Sequence, residues 1–240
     1  MTQRVIAKNI SKKFRMGFKR KQTFLARVIY DLFGKEQKKT IEVLKNVSFQ
    51  AESGAIVGII GDNGSGKSTL LRVLAGIYAE DSGEIILNGR VVSLINLHLG
   101  LMQRLTMKEN IYICGAFFSL SRKEIENKFQ SIVEFSGLHE FINTKLYQFS
   151  NGMLQRFVFS VAINCDADIL LLDEIFEVGD EDFKKRSSAK IKQIADSGGC
   201  VLLVSHDLEI ISKYCNKVIW LKDGLVFAQG SPDEIIKKYK

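Results

Sequence analysis

A single proline, beside 19 glycines and 46% hydrophobic residues in 240, excludes disordered and fibrous classes and leaves an ordinary globular α/β chain. No apolar run approaches the roughly 18–20 residues that span a bilayer. The N-terminus, MTQRVIAKNISKK, lacks the apolar core of a secretory signal. A cytosolic chain is therefore expected. The four cysteines, Cys114, Cys165, Cys200 and Cys215, have neither CxxC nor metal-ligand spacing, which points to buried, reduced thiols. There is no internal repeat and no low-complexity linker. The length suits one well-buried domain with an attached subdomain.

Charge is present but unevenly placed. The formal net charge is +7, yet residues 12–39 hold ten Lys/Arg against two acids, a local +8 that leaves the remainder near −1. A nucleic-acid-binding domain would spread its basic residues across a face, so no nucleic-acid partner is expected.

The apolar pattern divides the chain. RVIAKNI (4–10) and VLKNVSFQA (43–51) alternate as strands, and AIVGII (55–60) reads as a buried central strand ending at glycine. A helix is expected from Lys67 through STLLRVLAGI. About 102–165 the pattern turns helical, with apolar residues of KEIENKFQSIVEFSGL at three-to-four spacing. ADILLLD (167–173) and CVLLVSH (200–206) read as further buried strands. KVIWLKDGLVFAQG (217–230) is a hairpin around Asp-Gly, and Ser231-Pro232 opens a last helix with Ser as cap.

Between the strand 55–60 and its following helix lies GDNGSGKST (61–69), which fits G-x-x-x-x-G-K-[ST] in the required strand–loop–helix context. Gly61, Gly64 and Gly66 let backbone N–H groups, including those of Asn63, Ser65 and Thr69, turn toward phosphate oxygens, with the helix dipole favouring the anion. Lys67 is expected to reach the β- and γ-phosphates of ATP, and Ser68 to ligate Mg²⁺. ILLLDE (169–174) ends a buried strand in carboxylates. Asp173 would hold Mg²⁺, and Glu174 would polarise the attacking water. His206, at the end of LLVSH, is expected at the γ-phosphate.

The order of phosphate loop, QFSNGMLQR (148–156), ILLLDE, EVGD (177–180) and VSHD (204–207) resembles the ATP-binding subunit of ABC transporters across nearly the whole chain. The resemblance implies a P-loop NTPase (RecA-like) α/β core with an antiparallel β subdomain and a helical subdomain at about 102–165, in one nucleotide-binding domain over 1–240. FSNGMLQR is similar to the family signature LSGGQ, with Ser150 and Gly152 matching and Asn151 and Met153 replacing Gly and Gln. By that resemblance two subunits sandwich two ATPs, each signature closing on the partner's γ-phosphate, and Asp180 belongs to the loop following the catalytic Glu. DEIFEVGD, LTMKENIYICG (105–115) and IVEFSGL (132–138) resemble the branch that exports lipid-linked polysaccharide, the Wzt type, and related teichoic acid exporters. The family's Q-loop glutamine should fall in SLINLHLG (93–100), which has none. Asn96 matches the place best, and His98 competes for it. Phe14, ending NISKKF, fits the aromatic that the family stacks on adenine, a contact worth about 1–3 kcal/mol.

KRKQTFLARVIYDLFGKEQKK (19–39) pairs Phe24/Leu25, Val28/Ile29 and Leu32/Phe33 on one helical face. Three readings stand for this insertion of about 15–40: a helix packed on its own domain, an amphipathic element on anionic lipid at about 1 kcal/mol per basic residue, or a helix at the membrane subunit's substrate entrance, where Lys19, Arg20, Lys21 and Arg27 attract phosphate. Exporters resembling this chain carry a gate helix here. The resulting expectation is a homodimeric ATPase at the cytoplasmic face of the bacterial inner membrane. It would pair with a separate, Wzm-like transmembrane permease that moves lipid-linked O-antigen-type glycan. A teichoic acid or capsule exporter stands second, and a soluble ABC ATPase acting on nucleic acid or ribosomes is the rival of another class. The chain ends about ten residues after Ser231, so no C-terminal carbohydrate-binding domain is expected.

Overall fold

The structure, a computed structural model, describes residues 2–16, 39–95, 100–173 and 179–240. Two sheets organise it. The smaller is antiparallel, in the order β2 (Lys39–Glu52), β1 (Gln3–Met16), β4 (Ser82–Leu87). The larger has six strands, in the order β5 (Val91–Leu94), β6 (Ile169–Asp173), β7 (Cys200–Val204), β3 (Ile56–Ile60), β8 (Lys217–Lys222), β9 (Leu225–Gly230). Its first five strands are parallel, and β9 returns antiparallel through the Asp223-Gly224 turn.

The near-continuous apolar runs of β3, β6 and β7 follow from burial on both faces. Alternate residues go to different cores. Ile56, Ile60, Leu170, Leu172, Val201 and Leu203 face a cluster shared with the helices. Val57, Ile59, Ile169, Leu171, Leu202 and Val204 face a second cluster, completed by Leu70 and Leu71 of α1 (Lys67–Leu74) and by Val5, Ala7, Leu44 and Phe49 of the small sheet.

The small sheet runs longer than the expected strands at 4–10 and 43–51, because bulges carry β1 and β2 past irregular points. Asn9 and Asn46 take positive φ (53° and 51°), and the pairing slips between Ala7 and Ile10 and again between Ile10 and Lys12. Asn46 N–H donates to Ser11 Oγ at 3.0 Å, satisfying a group that the slipped ladder would leave open.

The segment from Met107 to Ile163 holds α2 (Met107–Phe117), α3 (Arg122–Ser136) and α4 (Asn151–Ile163), with 3-10 turns at His139–Phe141 and Leu146–Gln148. Thr106 with Glu109, and Ser121 with Glu124, form capping boxes, and Gly137 ends α3 in the left-handed region at φ 66°. Phe157 and Phe159 of α4 and Phe183 of α5 (Glu181–Asp196) are among the largest fully buried side chains. The chain closes with α6 (Leu208–Tyr214) and α7 (Pro232–Tyr239), the latter capped by Ser231 with Pro at its first turn. No helix among the described residues is long and apolar enough to cross a membrane. All four cysteines are buried as free thiols.

The basic segment, whose three readings covered about 15–40, lies for residues 17–38 outside the described residues.

Candidate functional site

The carboxyl ends of β6, β7 and β3 are neighbours in the large sheet, so the loops leaving them converge. Val43, Asn63, Gly64, Gly66, Lys67, Ser68, Thr69 and His206 line a cavity of about 330 Å³ there. The loop 61–69 is bent against the protein. Gly61 has φ 147°, and a Cβ on it would lie 2.0 Å from Leu221 O. Gly66 has φ 106°, and its Cβ would lie 2.9 Å from Leu44 Cδ2 and 3.0 Å from Val43 O. Only glycine fits both the dihedral and the space. The β8–β9 turn supports the loop from behind, Gly224 N–H donating to Ser65 O at 3.2 Å.

Gly66 caps α1 without a side-chain acceptor, and the first turn of α1 has no acidic residue. The helix N-terminus is thus left to an external anion. Lys67 Nζ folds back onto the loop, donating to Gly61 O at 2.7 Å and Asp62 O at 3.0 Å. Ser65 Oγ is buried and finds no hydrogen-bond partner among the described residues. Ser68 Oγ donates to Asp173 Oδ1 at 3.4 Å, placing two hard oxygen donors together beside the cavity. Oxygen donors of this kind suit Mg²⁺, and the uncapped helix end suits phosphate. The residues present therefore fit a metal–nucleotide pair.

His206 reaches the cavity from beyond the end of β7. The expected strand ended at His206, whereas β7 stops at Val204. Ser205 Oγ accepts from Asp207 N–H at 3.0 Å, and Asp207 in turn caps α6, so the backbone turns before His206.

Phe14 stands at the end of β1, half-buried. Its ring meets Tyr78 edge-on at 5.4 Å, with Lys12 Nζ 5.6 Å from its centroid. Tyr78, in the segment after α1, escaped the sequence reading because only the fold brings it to Phe14. Val43 was missed for the same reason.

Phe14, Ser150, Gly152 and Asp180 are not among the residues lining the cavity. Ser150 caps α4, accepting from Met153 N–H at 3.2 Å, and both Ser150 and Gly152 are exposed. Asp180 caps α5, accepting from Phe183 N–H at 2.8 Å, and pairs with Arg156 of α4 at 3.3 Å. Arg156 ends FSNGMLQR, where the sequence marks no role for it. Its partner is 24 residues away, and no local pattern marks it. Glu174, Asn96 and His98 fall outside the described residues.

A family model described as ABC transporter matches residues 44–177. The chain is 37% identical to the O-antigen export system ATP-binding protein RfbB of Myxococcus xanthus, over 98% of this chain and 55% of that one. It thus spans about half the length of that relative. It is 33% identical to the teichoic acids export ATP-binding protein TagH of Staphylococcus haemolyticus, over 100% of this chain and 89% of that one. Among solved structures, a dimeric ATP-binding cassette in a post-hydrolysis state with ADP and phosphate superposes with a TM-score of 0.76. That match covers 95% of this chain and 98% of the other at 23% identity, a likeness of fold.

Proposed function

The chain belongs to the ABC transporter family, and from that premise we propose that it is the ATP-hydrolysing subunit of an exporter that moves lipid-linked, O-antigen-type polysaccharide across the bacterial inner membrane. The observation that carries the ATPase reading is the approach of Ser68 to Asp173, 3.4 Å apart, beside a cavity lined by Lys67, Thr69 and His206.

In this reading the loop 61–69 receives the β- and γ-phosphates on its backbone N–H groups, and Lys67 turns from its loop carbonyls to the phosphate oxygens. Ser68 and Asp173 would hold Mg²⁺, which would neutralise charge on the phosphates. Glu174 takes a proton from the attacking water, and His206 steadies the γ-phosphate. Phe14 would stack on adenine with Tyr78 fixing its ring, and Asn96, with His98 as the competing residue, would take the Q-loop glutamine's role toward Mg²⁺ or water. Two copies close head to tail, so that the exposed Ser150 and Gly152 of one meet the nucleotide of the other, with Asp180 flanking the joint. The dimeric state of the cassette that superposes with a TM-score of 0.76 supports that geometry. A separate, Wzm-like permease supplies the membrane path and holds the dimer at the cytoplasmic face.

The choice of cargo rests on the O-antigen relative at 37% identity. Teichoic acid or capsular polysaccharide is the second reading, favoured by the TagH relative at 33%. No observation favours a nucleic-acid or ribosomal role.

The test is Mg²⁺-dependent ATPase turnover of the wild type, Lys67→Ala and Glu174→Gln, with dimerisation followed by light scattering. Lys67→Ala should lose ATP binding. Glu174→Gln should bind ATP, accumulate as dimer and lose turnover. Normal turnover in Glu174→Gln would remove that residue from its role. Co-reconstitution with the permease and labelled glycan lipids then separates the cargoes.

A further inference from the structure

The C-terminal helix ends against the phosphate loop. Tyr239, in the last turn of α7, donates its hydroxyl to Asp62 Oδ1 at 3.2 Å. Asp62 is the second residue of the loop, and its carbonyl accepts from Lys67 Nζ at 3.0 Å. The phenol is held independently of this bond. Its ring stands edge-on to Trp220 at 5.2 Å and 88°, and Phe227 also packs on Trp220, tilted, at 4.4 Å. Trp220 lies on β8 opposite Ile60, the residue that leads into the loop. The helix is itself pinned by the Ser231 cap and by Ile235, fully buried.

Asp62 brings a carboxylate to a loop that the ATPase reading gives to phosphate. It is exposed, and its neighbours Asn63 and Gly64 line the cavity. A carboxylate free to rotate there is drawn to the same Lys67 ammonium and the same uncapped N–H groups of α1 as the phosphates are. An intramolecular anion at that place competes with ATP. A phenol that holds Asp62 on the α7 side removes the competitor. Burial, and then the Asp62 carboxylate, push the Tyr239 phenol above its ordinary value, so it remains a protonated donor at neutral pH.

We propose that Tyr239 is a positioning residue for ATP: it holds the Asp62 carboxylate away from the phosphate cradle, so that the C-terminal helix sets the nucleotide affinity of the loop. The proposal rests on the ATPase reading above.

The experiment is a double-mutant cycle on the full chain, with Kd for Mg-ATP from calorimetry and kcat and KM from turnover. It uses the wild type, Tyr239→Phe, Asp62→Asn and the double variant. Tyr239→Phe keeps the ring on Trp220, the one tryptophan of the chain, so intrinsic emission should be unchanged and Tm should stay within about 2 °C. Its Kd and KM should rise about three- to tenfold while kcat falls less than about twofold. In the Asp62→Asn background the same phenol deletion should have no further effect on Kd, because no carboxylate remains to compete. Wild-type affinity in Tyr239→Phe, or an equal loss in both backgrounds, overturns the proposal and leaves the ATPase reading standing. Failure of the wild type to bind ATP overturns both.

Discussion

Replacing Asp180 tests how α4 is joined to the start of α5. One carboxylate oxygen accepts from Phe183 N–H at 2.8 Å and caps α5, while the other faces Arg156 Nη1 at 3.3 Å. Arg156 also donates through Nε to Ser136 O at 3.1 Å and lies over the Phe183 ring at 5.1 Å. The two roles of Asp180 can be separated chemically, since Asn caps a helix about as well as Asp but carries no charge. Loss of the cap costs about 1 kcal/mol. The ion pair, with side chains 22% and 61% exposed, is worth about 0.5 kcal/mol in water-screened surroundings. Asp180→Ala should therefore lose about 1.5 kcal/mol and Asp180→Asn about 0.5. At roughly 2–4 °C per kcal/mol for a chain of this size, Tm should fall about 3–6 °C and 1–2 °C respectively. Urea and thermal unfolding of both variants, each repeated in an Arg156→Lys background, provide the measurement. Equal losses in the two variants would refute the reasoning, because the cap would then contribute nothing that Asn retains.

Glu124 accepts from the Ser121 hydroxyl and backbone and from Arg90, and these contacts hold its carboxyl at about 2 against an ordinary 4.5. A folded value below the unfolded one stabilises the native state above about pH 4.5, and that stabilisation is lost as pH falls toward 2. The Tm gap between wild type and Glu124→Gln should therefore be constant above pH 5 or so and close on acidification, and a widening gap would contradict the assignment. Burial pushes the four thiols up to about 12, so a colourless aromatic disulfide reagent at pH 8 should label all four cysteines only after unfolding. Rapid labelling of the native chain would contradict that burial. Replacing Lys19, Arg20 and Lys21 by Ser should spare basal ATPase and impair export in the reconstituted system, and unchanged export would exclude the basic-entrance reading.

What the sequence made legible was whatever sits in consecutive residues. The phosphate loop, the Asp-Gly hairpin turn and the Ser-Pro helix start each carry their geometry in a few adjacent positions, and β8, β9 and α7 occupy 217–222, 225–230 and 232–239. Two kinds of feature did not show. One is the element whose buried stripe is not apolar. Helix α5 buries Phe183, Ser187, Ser188, Ile191 and Ala195, so serines occupy two of the inward positions and the hydrophobic period is blurred. Strand β4 is exposed along its first half, so it lacks the alternation that would announce it. The other is the contact between distant segments, such as Phe14 with Tyr78, Arg156 with Asp180 and Tyr239 with Asp62.

Adjacency in the site is set by strand order, which no motif encodes. Only because β6, β7 and β3 lie side by side do Asp173, His206 and the loop 61–69 leave one edge of the sheet together. That order is protected by the division of each strand between two cores. A slip of one residue in β3 would turn Val57 or Ile59 out of the cluster under α1 and into the place of Gly58 on the opposite face, where Ile211 Cδ1 stands only 2.9 Å from the position of a Cβ. The loop at 61–69 would be carried about 3.3 Å along the strand and away from Asp173. The register that packs the interior is therefore the same one that keeps Ser68 within reach of Asp173, and a core substitution in β3 that relaxes it should weaken the site before it unfolds the chain.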